Sequence, residues 1–292
     1  MKVLSFFRYA LALVIFSTLV FSCSDPEPPV QEGLDPAKAH TEVDLSYGTD
    51  LRQVMDVYLP ANRDKSRTKV FVWIHGGGWI DGDKSELQAF KPWLEEAQDD
   101  YAYIGINYRL FNLLGNANRF PTQEEDVKSA LAFIKSKLEE WDLSENLVLA
   151  GASAGGHLTL LHSYKNNNDG FVKAAVAFFP PTELRSFHGN SPLNKLLLEN
   201  LLGGTPESVP LAYSNSSPLV FVKEGSVPTV FFHGDADTVV PIAQSKILET
   251  RLVANNVPHL KEYLPGQGHG FDEATYKRLI GLTEDFLNGV LP

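Results

Sequence analysis

A hydroxyl, an imidazole and a carboxylate brought to one point can pass an acyl group to water, and this chain places all three types beside glycines that follow apolar runs. The hydroxyl is Ser153, in Gly151-Ala152-Ser153-Ala154-Gly155, directly after Leu-Val-Leu-Ala and before a helix-like stretch at 157–162. A serine on a sharp strand-to-helix turn is lifted clear of the sheet, and the backbone passes so close two residues before and after it that only glycine fits. The N-terminus of the following helix favours negative charge developing there. Serine is a weak nucleophile and needs a base. Of eight histidines, His269 is the best placed, in Gly266-Gln267-Gly268-His269-Gly270 after the last apolar run. The base in turn needs an acid to hold its tautomer. His233-Gly234-Asp235-Ala236-Asp237 follows Thr-Val-Phe-Phe and offers two aspartates. Finally, His75-Gly76-Gly77-Gly78-Trp79 follows Val-Phe-Val-Trp-Ile. Its unobstructed N–H groups, with that of Ala154, can form a hole for an oxyanion.

Four such loops converge only if a scaffold aims them at one place. Strands are expected at 42–47, 53–59, 69–74, 101–106, 147–150, 174–179, 229–233 and 260–264. The middle ones are continuous apolar runs, the mark of strands covered on both faces in a parallel sheet. Helical periodicity lies between them at 126–138, 244–253 and 274–287. The alternation predicts an α/β fold, an open doubly wound sheet with helices on both faces. No helix separates the first two strands, which are therefore expected as an antiparallel hairpin at one edge. Residues 182–226 break the rhythm with Pro, Gly, Ser and Asn around a short apolar piece, and read as an excursion above the carboxyl ends of the strands, where ligands bind in such sheets.

The 292 residues are enough for one large domain, expected at 41–292. Residues 1–22 read as a secretory signal: Lys2 and Arg8, then an apolar run at 9–21 too short to span a bilayer, then small Ser22. The only cysteine, Cys23, stands at the border. That position resembles a lipoprotein signal, in which the cysteine is lipidated and anchors an exported protein to a membrane, on the periplasmic or cell-surface side. Residues 23–40, rich in Pro and polar residues, read as a flexible tether. A lone cysteine excludes an internal disulfide and a cysteine metal cluster. His162 and His188 lack metal-ligand spacing, and Asp81-Gly82-Asp83 lacks the remaining ligands of a calcium loop, so no metal and no organic cofactor is expected. A net charge of −11 without any Lys/Arg run speaks against nucleic acid as a partner.

Taken together, HGGGW (75–79), NYRL (107–110), FPTQEEDVKSALAFIK (120–135), GASAGGH (151–157), HGDADTVVP (233–241) and GQGHGF (266–271) resemble the α/β-hydrolase superfamily, in its hormone-sensitive-lipase-like and feruloyl-esterase-like carboxylesterases. The chain order serine, aspartate, histidine is also that of this superfamily. The resemblance spans about 41–292 and implies a mostly parallel eight-stranded sheet. It further implies nucleophile Ser153, base His269, acid Asp237 rather than Asp235, and oxyanion donors Gly77, Gly78 and Ala154. The expected activity is serine carboxylesterase, acting on short-acyl or aryl esters of small molecules or glycans. Family members that cleave amides or peptides share the triad, so an amidase or peptidase is the alternative, and a non-catalytic binding protein on the same fold is a second. Lipase-like members carry a helical cap before the first strand. Here any cap must come from 182–226, which favours an open site.

Overall fold

The computed structural model describes residues 34–97 and 100–291. The expected signal and Cys23 lie outside the described residues. Within them, eight strands form one sheet: β1 (His40–Ser46), β2 (Val54–Leu59), β3 (Lys69–Ile74), β4 (Tyr101–Ile106), β5 (Leu147–Ala152), β6 (Val172–Phe178), β7 (Thr229–Gly234) and β8 (His259–Leu264). Their spatial order is β1-β2-β4-β3-β5-β6-β7-β8. β1 and β2 are the antiparallel edge hairpin, β2 also runs antiparallel to β4, and all other pairs are parallel. β3, β5 and β7, whose ends carry three of the four glycine loops, therefore point the same way.

The continuous apolar runs are explained by cover on both faces. Alternate residues of β3, Phe71 and Trp73, pack with Leu87, Leu94, Leu279 and Leu287. These belong to α1 (Glu86–Ala97) and α8 (Glu273–Val290). Val70, Val72 and Ile74 point the other way, to Val127, Leu131, Ile134 and Leu158 of α2 (Thr122–Lys137) and α3 (Ala154–Leu161). On that same face α7 (Ala243–Ala254) covers β7 with Leu248 and Leu252. Edge strands β1 and β8 are half-exposed and correspondingly polar.

Three local expectations shift. α2 starts at Thr122, four residues early, because its first turn is polar but still helical. α1 has no counterpart among the expected helices, since Pro92 interrupts its pattern. Residues 34–40, which by composition belong to the tether, are tied to the domain although 35–39 stay exposed: Leu34 lies against the core, and the Arg63 guanidinium and N–H bond the carbonyls of Lys38 and Pro36.

The excursion between β6 and β7 is helical. It holds α4 (Leu184–His188), α5 (Pro192–Leu202) and α6 (Pro210–Asn215). α5 has Ser191 as N-cap, Pro192 in its first turn and left-handed Gly203 at its end. Gln244 at the start of α7 ties down the first residues of the excursion, its Oε1 accepting from the N–H groups of Thr182 and Glu183, each at 2.8 Å.

Candidate active site

Ser153 sits between β5 and α3 with φ 53° and ψ −120°, a conformation that costs energy for a residue with a Cβ. Two glycines make the turn possible. A Cβ on Gly151 would stand 2.7 Å from the Ile74 carbonyl oxygen, and one on Gly155 would collide with the same atom. The sequence pattern thus reflects one crossing point, where the turn presses on the end of β3.

The loops after β7 and β8 bring their side chains to this turn. His269 Nε2 lies 2.9 Å from Ser153 Oγ, and His269 Nδ1 lies 2.7 Å from Asp237 Oδ2. Ser153 can donate to Nε2 only if the imidazole proton is on Nδ1, where it donates to Asp237. Burial would raise the Asp237 carboxyl; bonds from His233, from His269 and from the Val239 N–H outweigh it and hold the group ionised, well below the ordinary carboxylate range. Its other oxygen, Oδ1, accepts from the N–H groups of Val239 and Val240. The second aspartate serves elsewhere. Asp235 Oδ1 accepts from the Gly266 N–H at 2.6 Å and so fixes the start of the histidine loop. Gly234 lets that loop pass, since a Cβ there would collide with the Gln267 carbonyl.

The glycine loop after β3 completes the floor. Gly77 and Gly78 have φ of 94° and 60°. The Gly76 N–H is taken by Glu86 Oε2 at 3.1 Å. Ala154, at the first position of α3, has no intrahelical acceptor for its N–H. This loop is braced on every side. The His75 ring stacks on Tyr108 at 4.3 Å and accepts from Arg52 Nη2, while Arg52 also bonds the Gly82 carbonyl at 2.9 Å. The Trp79 indole N–H donates to His157 Nδ1 at 3.3 Å, and His157 Nε2 donates to the Ser216 carbonyl at 2.7 Å. One imidazole so joins the glycine loop, α3 and the excursion. Burial pushes both His75 and His157 down to about 4, and each stays neutral.

By sequence His75 and His157 read as packing residues, and so they are placed. Three others escape such a reading. Arg52 and Glu86 carry no motif of their own. His233 opens the aspartate motif and is fully buried, with Nε2 shared between the Val240 carbonyl (2.8 Å) and Asp237 Oδ2 (3.3 Å). Asp81-Gly82-Asp83-Lys84 is not the solvated turn that its charges suggest: Lys84 is buried and bridges Asp44 and Asp56.

A cavity of about 490 Å³ opens over Ser153 and His269. Its lining includes the exposed aliphatic residues Ile80, Leu193, Leu196 and Val239 and a set of touching aromatic rings, Trp73, Phe90, Phe178 and Tyr276, of which Trp73 and Phe178 are buried. Among the described residues no group of three His, Cys, Asp or Glu is arranged to hold a metal. The arrangement can take a proton from Ser153, hold the resulting imidazolium against Asp237, and offer N–H donors to an oxyanion.

The BD-FAE family model matches residues 55–252, a span that includes Ser153 and Asp237 and ends before His269. Esterase LipC of Mycobacterium tuberculosis is 28% identical over 243 residues, 77% of this chain and 59% of its own length. The probable carboxylic ester hydrolase LipM of the same organism is 29% identical over 246 residues, 78% of this chain and 56% of its own. The chain thus spans less than two thirds of these curated relatives. Among solved structures, a truncated carbohydrate esterase from gut microbiota superimposes with a TM-score of 0.73 at 22% identity, covering 88% of this chain and 100% of that one. A bifunctional GH43-CE protein of Bacteroides eggerthii gives 0.71 at 27% identity, over 84% of this chain and 38% of its own.

Proposed function

The chain belongs to the BD-FAE family, and from that premise we propose that it is a serine carboxylesterase working through an acyl-enzyme. Ser153 is the nucleophile, His269 the general base and then acid, and Asp237 the residue that holds the imidazole. The observation that carries this reading is the continuous line from Asp237 Oδ2 through His269 to Ser153 Oγ, in steps of 2.7 and 2.9 Å.

His269 takes the Ser153 proton as Oγ attacks the ester carbonyl. The N–H groups of Gly77, Gly78 and Ala154 hold the oxyanion. His269 then protonates the departing alcohol, and a water, activated by the same imidazole, releases the acid and frees Ser153. The substrate class we propose is short-acyl or aryl esters, including those borne by glycans. Its support is a cavity lined in part by aromatic rings, together with the carbohydrate esterase named for a structural neighbour. The amino-terminal pattern supports export and a lipid anchor at Cys23.

Hydrolysis of p-nitrophenyl acetate, butyrate and octanoate by the protein and by its Ser153→Ala variant tests the reading. Activity that vanishes with Ser153 and declines with chain length is expected. Activity retained in Ser153→Ala overturns the assignment, and a folded protein inert on all three esters but active on aryl amides points to the amidase alternative.

A further inference from the structure

The apolar strand β7 ends on a polar side chain that burial should penalise. Alternate residues of a strand share a face, so His233 points with Phe231 towards α7. It is fully buried. A buried imidazole is costly unless its nitrogens are bonded, and here both are. Nδ1 lies 2.7 Å from Oγ of Ser245 on α7, which is fully buried as well. Nε2 lies 2.8 Å from the Val240 carbonyl and 3.3 Å from Asp237 Oδ2. A carbonyl and an ionised carboxylate cannot donate, so Nε2 carries the proton and Nδ1 accepts from the Ser245 hydroxyl.

The N–H so directed meets the triad from behind. Asp237 Oδ2 is the oxygen that accepts from His269 Nδ1 at 2.7 Å, and the His233 N–H bears on the same atom. The Val240 peptide closes a ring. Its carbonyl accepts from His233, while its own N–H donates to Asp237 Oδ1 at 3.0 Å. The Asp237 side chain is shut off from water, so its charge is shared among the donors of His233, His269, Val239 and Val240.

We infer that His233 is a positioning residue of the triad: it fixes Asp237 against the Val240 peptide and, by drawing on Oδ2, restrains how strongly that oxygen holds a protonated His269. The inference rests on the triad of the esterase reading above and adds a side chain that acts through Asp237. A carboxylate that gives part of its charge to a second donor stabilises an imidazolium less. A base that holds its proton less tightly is available at lower pH, and is the stronger acid when the alcohol leaves. Other ionisable groups stand around the base: Glu86 of α1 and Tyr276 of α8 line the same cavity, and Asp235 bonds the Gly266 N–H. The uncharged Phe179 ring lies 4.4 Å from that of His269. All of them are the same in the variants below, so a difference between profiles belongs to position 233.

The pH dependence of kcat/KM for p-nitrophenyl acetate tests this in the full protein, with His233→Met, which has no donor, and His233→Gln, whose amide N–H can take the place of Nε2–H. The acid limb reports protonation of the free base. In His233→Met it should move up by about half to one pH unit, part of the worth of a hydrogen bond to a charged group. The plateau kcat should fall, with KM changed much less. In His233→Gln the limb should lie close to that of the unaltered protein. Thermal unfolding verifies that each variant is folded. A side chain that only filled space would lower rate or stability and leave the limb in place. Coincident limbs in all three proteins overturn the inference, as does a limb that moves as far in His233→Gln as in His233→Met. Should neither variant fold, nitrogen NMR of the unaltered protein with labelled histidines decides. His233 should be protonated at Nε2 and bare at Nδ1 at neutral pH, and a bare Nε2 overturns the inference. Failure of the esterase reading is distinct, since it leaves no Ser153-dependent hydrolysis to profile.

Discussion

Two glycine-rich loops meet over Ser153, and they are built in opposite ways. In the loop after β3, glycines stand where there is no room. A Cβ on Gly77 would collide with the Asp81 carbonyl, and one on Gly82 with the His75 ring. Arg52, Tyr108 and the Trp79–His157 pair close it in. In the loop after β8, Gly266, Gly268 and Gly270 have nothing within 4 Å of a Cβ position. That loop is half-exposed; its backbone is tied to the end of β7, with Ala236 N–H on the Gln267 carbonyl, Gly266 N–H on Asp235 and His269 on Asp237, while its own glycines face open space. The difference fits the role proposed for each. Donors that meet a developing oxyanion work best when fixed beforehand, because then no reorganisation accompanies the reaction. A base that takes a proton from one oxygen and gives it to another needs its ring aimed but not its whole loop locked. Similar composition thus conceals a mould and an arm.

The mould is the place where a single methyl group should do most harm. Gly77→Ala asks an L residue to adopt φ 94° and pushes a Cβ into backbone. We expect kcat to fall by about 10²–10³, the range for a lost oxyanion donor, with KM changed much less. A thermal midpoint lower by several degrees should accompany it. A Gly77→Ala enzyme within threefold of the parent would mean that this loop is no mould and that the oxyanion is held elsewhere.

Acid should loosen the mould next. His75 and His157 are neutral struts with values near 4, against about 6.5 in an unfolded chain. Between those values the unfolded state takes up protons that the folded state refuses, so stability falls as pH drops from about 6.5 towards 4. Each imidazole contributes roughly 1–3 kcal/mol of that loss. Thermal or urea unfolding across this window should show the slope, and His157→Gln should make it shallower by about one proton while lowering stability at neutral pH. An unchanged slope in the variant would remove His157 from the account.

The contrast between the loops also marks what the sequence could and could not disclose. The Ser153 turn was legible because its glycines answer to one close approach of backbone, and such approaches leave a residue type behind at fixed spacing. The sheet was legible because burial on both faces requires continuous apolar runs. The choice between Asp235 and Asp237 was not decided by residue type, as both follow β7; the direction of each side chain separates them, one to the His269 ring and one to the Gly266 N–H. Arg52 and Glu86 were invisible for a related reason. They reach the site from a hairpin turn and from a helix that Pro92 hides, and nothing in their neighbours' types records the contact. The excursion's composition showed that it leaves the sheet, but its attachment runs through His157, Ser216 and Gln244, far apart in the chain.

The smallest effect is expected from the arm, and it is the most demanding check on the comparison. Gly268 is next to His269, in a motif as glycine-rich as HGGGW, and composition alone would rank it with Gly77. Its surroundings say otherwise: a Cβ there meets nothing within 4 Å, and its φ lies outside the left-handed region. Replacing it by Ala also removes conformational freedom from the unfolded chain, which at a compatible site adds about 0.4–1 kcal/mol of stability. Gly268→Ala should therefore keep kcat/KM for p-nitrophenyl acetate within about threefold and leave the thermal midpoint unchanged or slightly higher. If it fell as far as Gly77→Ala, the histidine loop would have to be as tightly moulded as its counterpart. The glycines there would then serve a closure of the loop on bound substrate, not open space.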